Sequence, residues 1–213
     1  MRARRLHEFL PHGGEPGQTI LEVEGVELAF AGVKAVDGVS FRVHANELFA
    51  IIGPNGAGKT SIFNCVSGVY HPQKGAIRFE GRDLLGMRPD HIANLGIART
   101  FQNIELFPQM TVLDNLMLGR HRHLHYGTLA AIARVGKASR EEARNREVVE
   151  GLVEFLNLQA VRKSYVTMLP YGLQKRVELG RALAMAPRLL MLDEPVAGMN
   201  LEETEDMARF MND

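Results

Sequence analysis

Gly53-Pro54-Asn55-Gly56-Ala57-Gly58-Lys59-Thr60 follows the apolar run Leu48-Phe49-Ala50-Ile51-Ile52 and precedes the helix-compatible Ser61-Ile62-Phe63-Asn64-Cys65-Val66-Ser67. The octet fits G-x-x-x-x-G-K-[ST] in the context that pattern requires, a strand before it and a helix after it. Each part has a chemical task. The glycines let the loop curl so that successive N–H groups point at phosphate oxygens, at the positive end of a helix dipole. Lys59 adds a point charge for β- and γ-phosphates, and Thr60 offers a hydroxyl to Mg²⁺. The run at 48–52 lacks alternation, which predicts a central parallel strand buried on both faces.

Working outward, Leu189-Leu190-Met191-Leu192 is a second continuous apolar run, and it ends in Asp193-Glu194. A carboxylate at the carboxyl edge of a sheet is placed to hold Mg²⁺ through water, the role read for Asp193. Glu194 then reads as the base that orients or deprotonates an attacking water. Together the two stretches specify a P-loop nucleoside triphosphatase. Alternation of apolar and polar residues predicts half-buried strands at Ile20–Phe30, Val39–Val43 and Ala76–Glu80. From Asn103 to Met168 the texture is helical. Thr111 with Asp114, and Ser139 with Glu142, match capping boxes, and Val148, Val149, Leu152, Val153, Phe155 and Leu156 fall at helical spacing. The layout is an α/β core carrying a mainly helical insert.

Composition excludes several classes. The 213 residues are 46% apolar and 23% charged, which suits a soluble globular domain with a sizeable core and argues against disorder or a fibrous repeat. Lys+Arg and Asp+Glu balance at 25 each, so the basic excess of a dedicated nucleic-acid binder is missing. A single cysteine, Cys65, leaves no internal disulfide framework and no multi-cysteine zinc site. No stretch has the length and apolarity of a membrane span. Residues 1–18 begin with basic residues but lack the apolar segment of a signal peptide, so they read as a flexible tail of a cytoplasmic protein.

Two further stretches narrow the class. Leu169-Pro170-Tyr171-Gly172-Leu173-Gln174 opens an amphipathic helix just before the Asp193 strand, and resembles the signature motif of ABC-type ATPases. Ile97-Ala98-Arg99-Thr100-Phe101-Gln102 is similar to the Q-loop of the same superfamily. With Met110-Thr111-Val112-Leu113-Asp114-Asn115-Leu116 and Asp193-Glu194-Pro195-Val196-Ala197-Gly198-Met199-Asn200, the chain from Ile20 onward resembles the ATP-binding subunit of branched-chain amino acid importers. The resemblance implies an α/β, RecA-like P-loop core with an N-terminal antiparallel β subdomain and a helical insert. Its parts would be a core at 19–102, a helical subdomain at 103–168, and signature, Walker B and D-loop at 169–213.

The resemblance also implies roles. Phe30 would stack on adenine with Val36 packing beside it. Gly53, Pro54, Asn55, Gly56, Ala57, Gly58, Lys59 and Thr60 would cradle the phosphates of ATP, and Ser61 would reach the α-phosphate. Thr60, Gln102 and Asp193 would hold Mg²⁺, while Glu194, Gln102 and Lys59 would serve hydrolysis. Tyr171, Gly172 and Gln174 would close over ATP bound to the opposite subunit, with Met199 and Asn200 at the same seam. The implied partners are a second ATPase subunit, identical or homologous, the membrane permease subunits and, indirectly, a solute-binding protein. That places the protein on the inner face of the cell membrane, with no nucleic-acid partner.

Pro170 stands where the superfamily often has Ser, so backbone N–H groups would have to serve there. The family's switch histidine follows the Asp-Glu helix, whereas all eight histidines here lie at or before His125 and the chain stops at Asp213. The expectation is a C-terminally truncated cassette lacking its last strands, with an exposed apolar edge, weak ATP binding and poor hydrolysis. A soluble ABC ATPase acting on ribosomes or DNA, and a non-catalytic ATP-binding fragment, are the alternatives. His121, His123 and His125 read as a solvated linker rather than a metal cluster, and Cys65 as a buried structural thiol.

Overall fold

Alternation along Ile20–Phe30 places a strand at the centre of an antiparallel sheet. The computed structural model describes residues 15, 17–121 and 137–212. Strand β1 (Thr19–Phe30) lies between β2 (Val33–His44) and β3 (Lys74–Phe79), with the short β4 (Arg82–Asp83) outside β3. The β1–β2 connection is two residues, Ala31 and Gly32, both at positive φ, the left-handed pair that matches strand twist in a tight hairpin. Leu21, Val23, Val26 and Leu28 of β1 turn inward to meet Ile77 and Phe79 of β3, all buried. A register irregularity between Val23 and Val26 accommodates Glu24 and Gly25. The outer face carries Glu22 and Glu24 against Arg42 and Arg78.

After β2 the chain departs from the expected strand. Residues 48–52 belong to neither sheet of the described residues. Leu48 is 74% and Ile52 92% exposed, and Phe49 finds only partial cover by stacking on Phe41 at 5.2 Å between ring centres. A strand is made by its neighbour's hydrogen bonds as much as by its own composition, and no strand among the described residues runs beside this one. Helix α1 (Lys59–Val66) then buries Ile62, Cys65 and Val66. Burial pushes the Cys65 thiol up to about 11, as expected of a structural cysteine. Helix α2 (Pro89–Leu95) starts on a proline and stops at Gly96 in the left-handed region.

Between Ile97 and Ala98 the described chain passes from one compact unit to another. Strand β5 (Ile97–Arg99) starts at that boundary and forms a two-stranded sheet with β6 (Leu189–Met191); apart from Ile97 the sheet belongs to the second unit. Four helices supply its core: α3 (Val112–Gly119), α4 (Lys137–Phe155), α5 (Tyr171–Ala184) and α6 (Leu201–Asn212). Leu116, Val149, Leu152, Leu156, Val177 and Met207 are buried in one cluster. The capping box at Thr111 forms as expected: its hydroxyl accepts the Asp114 amide while the Asp114 carboxylate accepts the Thr111 amide. The second box does not mark a helix start. The backbone is already helical at Lys137, so Ser139 stands within α4.

Small residues let α3 and α5 approach closely. A Cβ on Gly119 would lie 2.8 Å from that of Ala184, and one on Gly180 2.8 Å from Leu156. Beside this crossing the buried Arg120 donates from Nε to Asn145 Oδ1 at 2.9 Å and from Nη1 to the Ala184 carbonyl at 3.0 Å, satisfying the last turn of α5. His123 and His125 lie outside the described residues. Among the described residues no cluster of His, Cys, Asp and Glu could hold a metal, and no helix is long and apolar enough to cross a membrane.

Candidate functional site

The first unit carries the phosphate loop. Gly56 and Gly58 sit at φ 82° and 85°, the left-handed region that an L side chain rarely adopts. At Gly58 space is short as well, because a Cβ would run into the Ala35 carbonyl, with Val36 Cγ2 3.5 Å away. That glycine therefore lets α1 begin hard against β2. Lys59 Nζ donates to the carbonyls of Gly53 at 2.7 Å and Pro54 at 2.9 Å, which lays the lysine along its own loop. Thr60 and Ser61 follow in the first turn of α1, a turn with no acidic residue to offset the positive dipole end. Pro54, Asn55, Gly56 and Ala57 are exposed.

Phe30 ends β1 with 47% of its surface exposed, and its ring meets Tyr70 edge-on at 5.1 Å. Gln73 donates to the Ala29 carbonyl at 3.2 Å and accepts the Ala29 amide at 2.8 Å, fixing the strand end beside it. The sequence does not point to the contacts of Tyr70 and Gln73 with this strand end, since both follow the phosphate-loop helix in a segment without periodicity. Val36 is buried and packs toward Gly58.

The second unit gathers the carboxylates. Asp193 follows β6 and is buried against Arg99 at 2.9 Å, the pair being 5% and 6% exposed. Next to it Glu194 holds φ 49°, a strained value for a residue with a side chain and of the kind that collects at functional sites. Gln102 Nε2 donates to Glu194 Oε2 at 3.1 Å, so the Q-loop amide and the proposed base touch. Thr100 N–H bonds the Met191 carbonyl at 3.0 Å, extending the β5–β6 pairing.

At the start of α5, Pro170 is the cap position and supplies no side-chain bond. Tyr171 is half-exposed, whereas Gly172 is buried with the Glu203 carboxylate where a side chain would stand. Gln174 turns back and donates to the Leu169 carbonyl at 2.8 Å. Asn200 caps α6 by accepting the Glu203 amide at 2.9 Å. Three charged residues here escaped the sequence reading: Arg99, Lys175 and Glu178. A Lys and a Glu one turn apart on a helix ordinarily face water, yet these are 3% and 2% exposed.

This combination of a phosphate loop, a buried aspartate followed by glutamate, and a glycine-bearing helix start coincides with a match of residues 36–197 to the ABC transporter family model. The chain belongs to the ABC transporter family. It is 42% identical over 188 residues to the high-affinity branched-chain amino acid transport ATP-binding protein BraF of Pseudomonas aeruginosa, covering 88% of this chain and 74% of that protein. It is 38% identical over 196 residues to LivG of Escherichia coli, of the same description, covering 89% and 74%. Among solved structures, a nucleotide-free ATP-binding cassette from an ABC transporter superposes with TM-score 0.75 at 32% identity, covering 91% of this chain and 76% of that one. A cassette in its ADP conformation gives 0.75 at 33%, covering 91% and 75%. The fold of this ABC ATPase is thus the P-loop α/β cassette, and its family function is ATP hydrolysis in a transporter.

Proposed function

We propose that this chain is the ATP-hydrolysing subunit of an importer of branched-chain amino acids or related amides. The observation that carries the reading is its 38–42% identity to two proteins named for that transport, along a chain whose phosphate loop and Asp193-Glu194 turn are both formed. In this reading two such subunits, identical or homologous, dock on permease subunits at the inner face of the membrane. A solute-binding protein delivers cargo to the permease from outside.

The residue roles are those the family resemblance implies, and the chemistry of the side chains suits them. The α1 N-terminus and Lys59 bind the phosphates of ATP, and Phe30 offers an exposed ring for adenine. The Thr60 hydroxyl in the first unit, and the Asp193 carboxylate and Gln102 side-chain oxygen in the second, are hard oxygen donors of the kind Mg²⁺ prefers, and would hold an ion that neutralises phosphate charge. Gln102 Nε2 faces Glu194 at 3.1 Å, so its side-chain oxygen would be the atom to hold the ion. Glu194 orients water and accepts its proton, and Gln102 fixes the direction of that carboxylate. Tyr171, Gly172 and Gln174 would serve the partner's nucleotide, with the Glu203 carboxylate packed beside Gly172.

One observation favours a second reading, a non-catalytic ATP-binding fragment: the run that leads into the phosphate loop at 48–52 is exposed and unpaired in either sheet. ATP turnover with Mg²⁺ at several protein concentrations separates the two. The transport reading expects turnover that rises faster than linearly with concentration and disappears in Glu194→Gln. Binding without single-turnover hydrolysis would establish the fragment reading instead. Restored leucine uptake in a bacterium lacking its own ATPase subunit tests the cargo.

A further inference from the structure

We infer that Lys175 and Glu178 are positioning residues for Gln102. The inference rests on the ATPase reading above and deepens it, by naming what holds the Q-loop glutamine against the proposed base. Residues 100–104 have no regular secondary structure, so their backbone groups must find partners elsewhere. Helix α5 supplies them. Lys175 Nζ donates to the carbonyls of Phe101 and Gln102, each at 3.1 Å, and to Glu178 Oε2 at 3.3 Å. The other oxygen, Glu178 Oε1, accepts the Phe101 N–H at 3.2 Å. An ammonium has three protons to donate, and all three are used.

The residues on either side are fixed too. Arg99 lies over the Phe101 ring at 5.1 Å while pairing with Asp193, and the Gln102 side chain reaches Glu194. Lys175 and Glu178 act on the backbone that aims Gln102. A buried ion pair contributes little to stability compared with well-packed apolar residues of the same size, so stability alone does not account for burying two charges on one helical turn. What the pair adds is geometry. Gln102 itself is exposed, and an exposed side chain keeps one direction only if its backbone is held.

The test replaces the pair by apolar residues of similar shape, Lys175→Met with Glu178→Leu, which removes both charges together, leaves neither charge unpaired, and releases only the Phe101 and Gln102 backbone groups. The double variant is expected to fold, with far-UV circular dichroism unchanged. In the unmodified chain Glu194→Gln should shift the Gln102 side-chain amide resonance, because the two groups are bonded. In the double-variant background the same substitution should leave that resonance in place, and Phe101 amide exchange should quicken about tenfold. For ATP hydrolysis, kcat per nucleotide-binding site should fall about tenfold with KM for ATP unchanged; counting sites by bound nucleotide keeps loss of folded protein from producing the same fall. The inference is overturned if the Gln102 resonance still responds to Glu194→Gln in the double variant, or if its kcat equals that of the unmodified chain. Absence of turnover in the unmodified chain would sink the ATPase reading, while the two resonance measurements would still decide the placement of Gln102.

Discussion

Charge is used in opposite ways in the two units. On the outer face of the first sheet, Glu22 and Glu24 meet Arg42 and Arg78 across strands at 2.7–3.8 Å, with the arginine side chains 59% and 40% exposed. In the second unit Arg99–Asp193 and Lys175–Glu178 are shut away from water at 2.9 and 3.3 Å. Exposed pairs are screened and add little, whereas a buried charge is tolerated only with its partner in place. The sheet network therefore supports a register that the buried apolar face already sets. The buried pairs instead fix irregular backbone and the Asp193 carboxylate, where no regular pattern would do so.

The sharpest way to break the contrast is Arg99→Ala, which takes the guanidinium away from the buried Asp193 carboxylate. It should cost about 3–5 kcal/mol, read as a lowered urea midpoint. Lys175→Ala should cost about as much by orphaning Glu178 and the Phe101 and Gln102 carbonyls. On the sheet, Glu22→Gln should move the melting temperature by no more than about 2 °C, and added salt should erase even that difference. Acid sharpens the same comparison. The hydrogen bond from Arg42 holds the Glu22 carboxyl below its ordinary 4.5. The folded state thus binds this proton less readily than the unfolded one, so the Glu22 contribution is complete above about pH 4.5 and is lost as pH falls further. A melt series from pH 6 to pH 3 should show that loss in the parent and its absence in Glu22→Gln.

The two apolar runs show how far such a sequence can be read. Residues 48–52 and 189–192 carry the same pattern, yet only the second becomes a strand, because β5 lies beside it. Pattern reports what a segment can do, and pairing decides what it does. The alternating strands, the Thr111 cap and the phosphate loop were legible because each is set within a dozen residues by local geometry. Arg99, Lys175 and Glu178 were not, since their partners lie up to 94 residues away and ordinary helix reading places such side chains in water. The exposed run has its own expected outcome: Leu48→Lys with Ile52→Glu should reduce self-association in light scattering without lowering the melting temperature, since little is buried there to lose.

The lysine of the phosphate loop has a kinetic consequence. Its ammonium is already anchored to the Gly53 and Pro54 carbonyls. The rotamer freedom of a lysine, up to about 2 kcal/mol, is thus surrendered while the chain folds and not when a ligand arrives. A polyphosphate entering the loop meets a charge whose direction is set beforehand. Capture should then be a single exponential whose rate climbs linearly with nucleotide concentration, with no plateau from a slow rearrangement of the receptor.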